Sequence, residues 1–152
     1  GKNIHENHIL KHTFSPTNLS KNQINQLINY SEKIVTELNH IGVLAVEFFI
    51  TKDQILVNEI APRVHNSGHW TIDACSVSQF KQHMLCVSGR EIKQPVLNNS
   101  AHMINIIGEE INEWCGKNNT DRLKIHLYNK KEVKKGRKMG HVTELFDKGK
   151  IF

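Results

Sequence analysis

The densest chemistry in this chain lies between Glu47 and Trp70. Glu47 and Glu59 are two acids twelve positions apart, set among apolar neighbours, and Asn58 precedes the second. Pro62 ends the apolar run, because proline has no backbone donor and a fixed φ. Arg63, His65, Asn66, Ser67 and His69 then place a guanidinium, two imidazoles, an amide and a hydroxyl within seven residues, before Trp70. A loop that only connects elements uses small turn-formers, whereas binding groups concentrate on loops held by a rigid strand. Two carboxylates brought face to face repel unless a cation lies between them or one is protonated. A divalent cation removes the repulsion, and oxygen ligands select magnesium or calcium over zinc. The competing reading is two glutamates paired with lysines on a solvated face.

A second group is cationic: Lys130, Lys131, Lys134, Lys135, Arg137 and Lys138, with Gly136, Gly140 and His141. It reads either as a solvated hairpin or as an anion site. In an anion site the glycines let backbone approach and Arg137 forks onto phosphate or carboxylate oxygens.

The elements that must position these groups follow from periodicity. Residues 1–19 read as extended, with a turn at Phe14-Ser15-Pro16 and Ser20 as a helix N-cap. Ile24, Leu27, Ile28, Ile34, Val35 and Leu38 predict an amphipathic helix over 21–39, ended by Asn39 and Gly42. Residues 43–50 and 55–60 read as strands, and the short link between them requires an antiparallel hairpin. If that loop is odd-numbered and centred on Asp53, Glu47 and Glu59 sit opposite each other on one face. An even loop puts Glu47 across from Asn58.

Ser76 and Gln79 resemble a capping box for a helix with Phe80, Met84 or Leu85, and Val87 facing inward. Pro95 and Asn98-Asn99-Ser100 mark a boundary, so the chain divides near residue 90. Beyond it, strands are expected at 101–107, 123–128 and 142–146, with a short helix at 109–115. The expected class is α+β: residues 1–90 an antiparallel sheet with helices, and residues 91–152 a smaller, mostly β unit.

Bulk properties bound the function. The 152 residues carry a net charge of +5 and a pI near 9.2, which suits an anionic partner. No apolar run is long enough to span a bilayer and no signal peptide is visible, so no membrane partner is expected. Cys75, Cys86 and Cys115 show no metal-type spacing and read as free thiols in a reducing cytoplasm.

The Glu47…Asn58-Glu59 pattern resembles the magnesium-binding end of the ATP-grasp family, in which two acids on neighbouring strands hold the metals that bridge ATP phosphates. Ala61 to Trp70, Ser78-Gln79-Phe80 and Gly136-Arg137-Lys138-Met139-Gly140-His141 narrow the resemblance to the carboxyaminoimidazole ribonucleotide synthases of purine biosynthesis. It covers residues 1–146. It implies a C-terminal part of an ATP-grasp domain followed by a small β-rich domain. It also implies ATP and magnesium as cofactors, aminoimidazole ribonucleotide and bicarbonate as substrates, and a homodimer. Glu47 and Glu59 would bind metal, with Asn58 beside them at the nucleotide. Arg63, His65, Asn66 and Ser67 would face the ribonucleotide and bicarbonate, joined by Lys130, Arg137 and Lys138 from the cationic hairpin. Arg63, His65 and Lys138 would act at the reacting groups. His69 and Trp70 are expected to pack beneath the loop, and His5, His8 and His12 have no assigned role.

Lys134 and Lys135 depart from the Arg and Pro more usual in that family. No residue here matches the family's N-terminal nucleotide-fold domain or its phosphate-cradling glycine loop. The expectation is therefore a fragment that does not turn over ATP alone and needs the missing N-terminal part. Two other readings compete. A basic nucleic-acid module is disfavoured because facing carboxylates would repel a phosphate backbone. A noncatalytic metal- or anion-binding domain would keep the fold without the reaction.

Overall fold

The computed structural model describes residues 1–152. The chain opens with a hairpin, β1 (Lys2–Glu6) and β2 (Ile9–Ser15). Its two-residue turn, Asn7-His8, holds both residues at positive φ, 48° and 63°, matching the twist of the flanking strands. Ser20 then caps α1 (Lys21–Glu37) in a reciprocal capping box with Gln23. Asn39, at φ 47°, lies just beyond its C-terminal turn.

β5 (Ser100–Ile107) and β7 (Lys138–Phe146) form the centre of a five-stranded antiparallel sheet, in the order β1-β2-β5-β7-β6, with β6 spanning Leu123–Leu127. Met103, Ile106, Met139 and Val142, from the two central strands, are almost wholly buried and make the core. The pairing of β2 with β5 joins segments from before and after residue 90 in one sheet. β7 begins at Lys138, four residues earlier than expected, so one end of the cationic run is fixed in the ladder.

β3 (Ala45–Ile50) and β4 (Ile55–Ala61) form a separate two-stranded hairpin. Glu47 does lie opposite Glu59, but not through an odd-numbered loop. The link is the four residues Thr51–Gln54, and the register near it pairs Ile50 with Ile55 and Phe48 with Val57. Continued unbroken, that register would set Glu47 against Asn58. A β-bulge leaves Asn58 without a partner and shifts the pairing by one residue, bringing the acids into line.

The helix after the polar loop also differs from expectation. Short α2 (Thr71–Ala74) leads to α3 (Gln79–Val87), whose N-cap is Ser78 rather than Ser76. The Ser76 hydroxyl accepts from Val96 N–H instead. Phe80, Met84 and Val87 are exposed, whereas Leu85, the alternative to Met84, is half-buried. Gln79 reaches into the His65 loop, and His83 accepts from the backbone N–H of Val43. These hydrogen bonds tie the helix to the His65 loop and to Val43. A short α4 (Ile111–Trp114) covers the core cluster of Ile106, Met139 and Val142.

Helix, strand and hairpin content fit the α+β class. Much apolar surface is nonetheless uncovered. No residue of α1 is buried, and Phe49, Leu56, Val57 and Ile60 of the β3–β4 hairpin are all exposed.

Candidate functional site

The residues expected to do chemistry gather around a cleft of about 490 Å³ between the β3–β4 hairpin and one end of the large sheet. Glu47 and Glu59 line it from the hairpin, His65 from the loop after β4, Lys130 and Gly136 from the β6–β7 connection, and Lys138 from the start of β7. His5, His8, Ile9 and Leu10 of the β1–β2 hairpin also line it.

The two acids are held differently. Glu47 is 14% exposed at its side chain and accepts a hydrogen bond from Asn3 Nδ2 at 3.1 Å, whereas Glu59 is 52% exposed. The His65 imidazole lies between them, Nε2 at 3.2 Å from Glu59 Oε1 and Nδ1 at 3.7 Å from Glu47 Oε1. Ser67 Oγ is 2.8 Å from the same Nδ1, and Gln79 pins the backbone of His65 by accepting from its N–H and donating to its C=O. An imidazole so tethered has little rotational freedom and presents a fixed edge to the carboxylates.

Lys138 is the cation most influenced by the cleft. Burial lowers its ammonium from the ordinary lysine value, and Lys130 and Arg63 add to that, while Glu47 and Glu59 pull it back up. The Lys130 ammonium donates to the Lys138 carbonyl at 2.7 Å, tying the two ends of the cationic connection together. Opposite charges thus face one another across a partly desolvated space, where electrostatic interactions are stronger than in open water.

The other expected residues stand further back. The Asn66 amide is engaged reciprocally with buried Asn105 of β5, at 2.9 and 2.7 Å, and Asn105 also donates to the Leu10 carbonyl. Asn66 therefore clamps the polar loop to the central sheet. Ser67 serves His65, as above. Arg63 and Arg137 are turned to backbone carbonyls, of Val64 and Glu132, and Asn58 is the exposed bulge residue. His69 and Trp70 pack: His69 lies against Phe80 and His141, and Trp70 against the cluster of Ala74, Ala101 and Leu145.

Asn3, His5 and His8 were not singled out by the sequence. Asn3 lies 44 residues from Glu47, so no local pattern connects them. His5 lies on β1 and His8 in the turn that follows it, three residues on, so no strand period links them either to each other or to Glu47.

Behind the loop, Asp73, His126 and His141 bring potential ligand atoms within 4.8 Å of one another. The two imidazoles are stacked 4.6 Å apart at 16°. Ring-nitrogen lone pairs lie in the ring plane, so an ion in the plane of one ring would sit out of the plane of the other. The cluster is better described by its bonds: His126 to Asp73 at 2.9 Å and His141 to Tyr128 at 2.8 Å. The first ties β6 to α2, and the second ties β7 to the residue that follows β6.

The ATP-grasp domain model matches residues 1–80, and the phosphoribosylaminoimidazole carboxylase C-terminal domain model matches residues 101–150. The N5-carboxyaminoimidazole ribonucleotide synthase of Bacillus subtilis is 42% identical over 146 residues, which are 93% of this chain and 38% of that protein. The Escherichia coli protein of the same name is 40% identical over 142 residues, 93% of this chain and 39% of its own length. Among solved structures, the Staphylococcus aureus N5-carboxyaminoimidazole synthetase complexed with ADP superposes with a TM-score of 0.86 at 40% identity, covering 94% of this chain and 39% of that one. The Aspergillus clavatus synthase in complex with ADP and 5-aminoimidazole ribonucleotide gives a TM-score of 0.83 at 34% identity, covering 94% and 41%. The chain spans about two fifths of the length of these relatives. With its first half matched to the ATP-grasp domain, its fold shared with solved synthases, and paired acids on adjacent strands, the chain belongs to the ATP-grasp family.

Proposed function

We propose that this chain supplies the metal-and-anion side of the active site of an N5-carboxyaminoimidazole ribonucleotide synthase, an ATP- and bicarbonate-dependent ligase of purine biosynthesis. The observation that carries the reading is one cleft in which Glu47, Glu59 and His65 face Lys130 and Lys138. In the reaction, a bicarbonate oxygen bonds to the γ-phosphorus of ATP as the bond to ADP breaks, giving carboxyphosphate. The exocyclic amine of aminoimidazole ribonucleotide then bonds to the carboxyl carbon, losing a proton as phosphate leaves.

Phosphoryl transfer needs positioning and charge neutralisation more than covalent help from the protein. The donor set fits magnesium through the carboxylate oxygens that the His65 ring leaves free, since that ring contacts Oε1 of each acid and no thiolate lines the cleft. Bound there, magnesium would neutralise phosphate charge. Glu47 and Glu59 would hold it, and Asn58 stands beside them for the nucleotide. Lys130 and Lys138 would hold carboxylate and phosphate oxygens, with Arg137 at the rim. His65, fixed by Gln79 and Ser67, would present its ring to the bicarbonate side, and Arg63 would reach the same anions from its exposed position. Asn66 would act by keeping that loop in place.

The uncovered apolar faces of α1 and the β3–β4 hairpin fit docking against the N-terminal part that the longer relatives possess. The same reading includes a homodimer and a cytoplasmic location, which suits three free cysteines; no helix is long and apolar enough to cross a membrane. The test is phosphate release by the chain joined to such an N-terminal part. Release that requires aminoimidazole ribonucleotide and is lost in Lys138→Met supports the proposal, and a protein that binds magnesium nucleotide without releasing phosphate overturns it.

A further inference from the structure

Asn3 sits on the edge strand β1, behind the acids rather than in the cleft. Its Nδ2 donates to Glu47 Oε1 at 3.1 Å, and its Oδ1 accepts from Thr13 Oγ1 at 2.9 Å. Thr13 is directly opposite Asn3 in the β1–β2 ladder and only 1% exposed, so this hydroxyl is fixed by the sheet itself. The orientation of the amide is chemically determined. An ionised carboxylate can only accept, so the NH2 end must face Glu47 and the carbonyl end must face the threonine hydroxyl. The flipped amide would set one oxygen against another.

The two acids therefore have unequal support. Glu47 is shielded and has one oxygen committed to an amide that is itself locked from behind. Glu59 is half exposed, and its Oε1 lies 3.2 Å from His65 Nε2. Fixing one carboxylate oxygen removes rotation about the terminal torsion of Glu47 and leaves its second oxygen in a single direction. From this geometry we infer that Asn3, backed by Thr13, is a positioning residue that presets the Glu47 carboxylate for a divalent cation shared with Glu59.

The inference rests on the carboxylate-pair reading proposed above. Outer partners that orient a ligating group generally account for 10- to 100-fold in metal affinity. Asn3 alone, lining no part of the cleft, would thus set the affinity of a site to which it contributes no ligand.

The test is titration of the 152-residue chain with Mn2+, an oxygen-ligated octahedral ion, following free Mn2+ by electron paramagnetic resonance well below the melting temperature. The unaltered chain should bind, and Glu47→Gln should lose binding. Asn3→Leu should raise the Kd by about 10-fold or more, with excess Mn2+ restoring the full stoichiometry. Thr13→Val, which keeps the packing and removes the hydroxyl, should weaken binding in the same direction and by less. If Asn3→Leu and Thr13→Val bind like the unaltered chain while Glu47→Gln does not, the positioning role is overturned and the carboxylate pair stands. A reduced stoichiometry at unchanged Kd would mean that Asn3 only ties β1 to β3, which also overturns it. If the unaltered chain binds no Mn2+, or Glu47→Gln binds as well as it does, the carboxylate-pair reading itself fails.

Discussion

Lowering the pH from 7.5 to 5.0 should destabilise this protein through two buried imidazoles. Burial pushes His141 down to about 3 and His69 down to about 4, from an ordinary value of 6.5. Neighbouring His65, His126 and Lys138 press in the same direction, and Asp73 opposes them only at His141. The physical reason is that His141 is 1% exposed with its Nε2 unpartnered, so a charge there would be neither hydrated nor paired. At pH 7.5 both rings are neutral whether the chain is folded or not, and they contribute no pH dependence. Below 6.5 the unfolded chain binds protons that the folded chain refuses, so stability falls as pH falls, until the folded rings themselves protonate. At pH 5.0 each group lies about 1.5 units below its unfolded value, a loss of about 2 kcal/mol each and about 4 kcal/mol together. For a domain of this size that lowers the melting temperature by roughly 10 °C. Differential scanning calorimetry across pH 5.0 to 7.5 measures it. His141→Asn preserves a partner for Tyr128 and removes the titrating ring, so its melting curve should lose about half of the pH dependence. A flat pH profile in the unaltered protein, or the full drop retained in His141→Asn, would refute the argument.

Three substitutions follow from the same structure. Glu59→Gln should abolish magnesium-dependent nucleotide binding in the complete enzyme, measured by calorimetric titration, while leaving the melting temperature within about 2 °C because the side chain is half exposed. Asn105→Leu should cost about 2–4 kcal/mol in a denaturant titration, because it leaves the Asn66 amide and the Leu10 carbonyl without their partner. Gly140→Ala should cost about 3 kcal/mol or prevent folding, since a Cβ there would stand 2.5 Å from the His126 carbonyl and 3.2 Å from Leu127 Cα, which are backbone atoms that cannot step aside. Soluble yield and circular dichroism distinguish those two outcomes from a tolerated change.

What the sequence reveals here depends on how locally each feature is determined. Ser20, Gln23 and the three-and-four spacing of α1 act within a few residues, and that helix forms where they place it. The facing acids were legible as a possibility, but their parity was not. It depends on a bulge at Asn58, whose cause lies in how β3 and β4 meet rather than in the residues of the turn. Gln79 misled for a related reason: Ser-x-x-Gln is a capping pattern when nothing else competes, but the His65 backbone offers this amide both an acceptor and a donor. Of the inward stripe expected on α3, Leu85 is half-buried while Phe80, Met84 and Val87 stay exposed. Periodicity shows that a helix has an apolar side without showing that this chain covers it.

The cleft draws on β1, the β3–β4 hairpin, the His65 loop and the β6–β7 connection, and part-buried side-chain hydrogen bonds fix groups on or beside three of them. Thr13 holds Asn3, Asn105 holds Asn66, and His141 holds Tyr128 beside Lys130. Hydrophobic contacts tolerate small slips, whereas a paired amide or a threaded hydroxyl loses its bond when its partner moves by an ångström. Groups that must meet a divalent cation and a transferring phosphoryl group need that sharper constraint. This explains why polar side chains occupy the interior of the central strands at Thr13, Asn105 and His141. It also yields a consequence: replacing Asn105 should impair binding at the cleft as well as stability, whereas trimming Ile106 on the adjacent position should affect stability alone. If Ile106→Val weakened Mn2+ binding as much as Asn105→Leu, rigid polar fastening would not be what holds the site together.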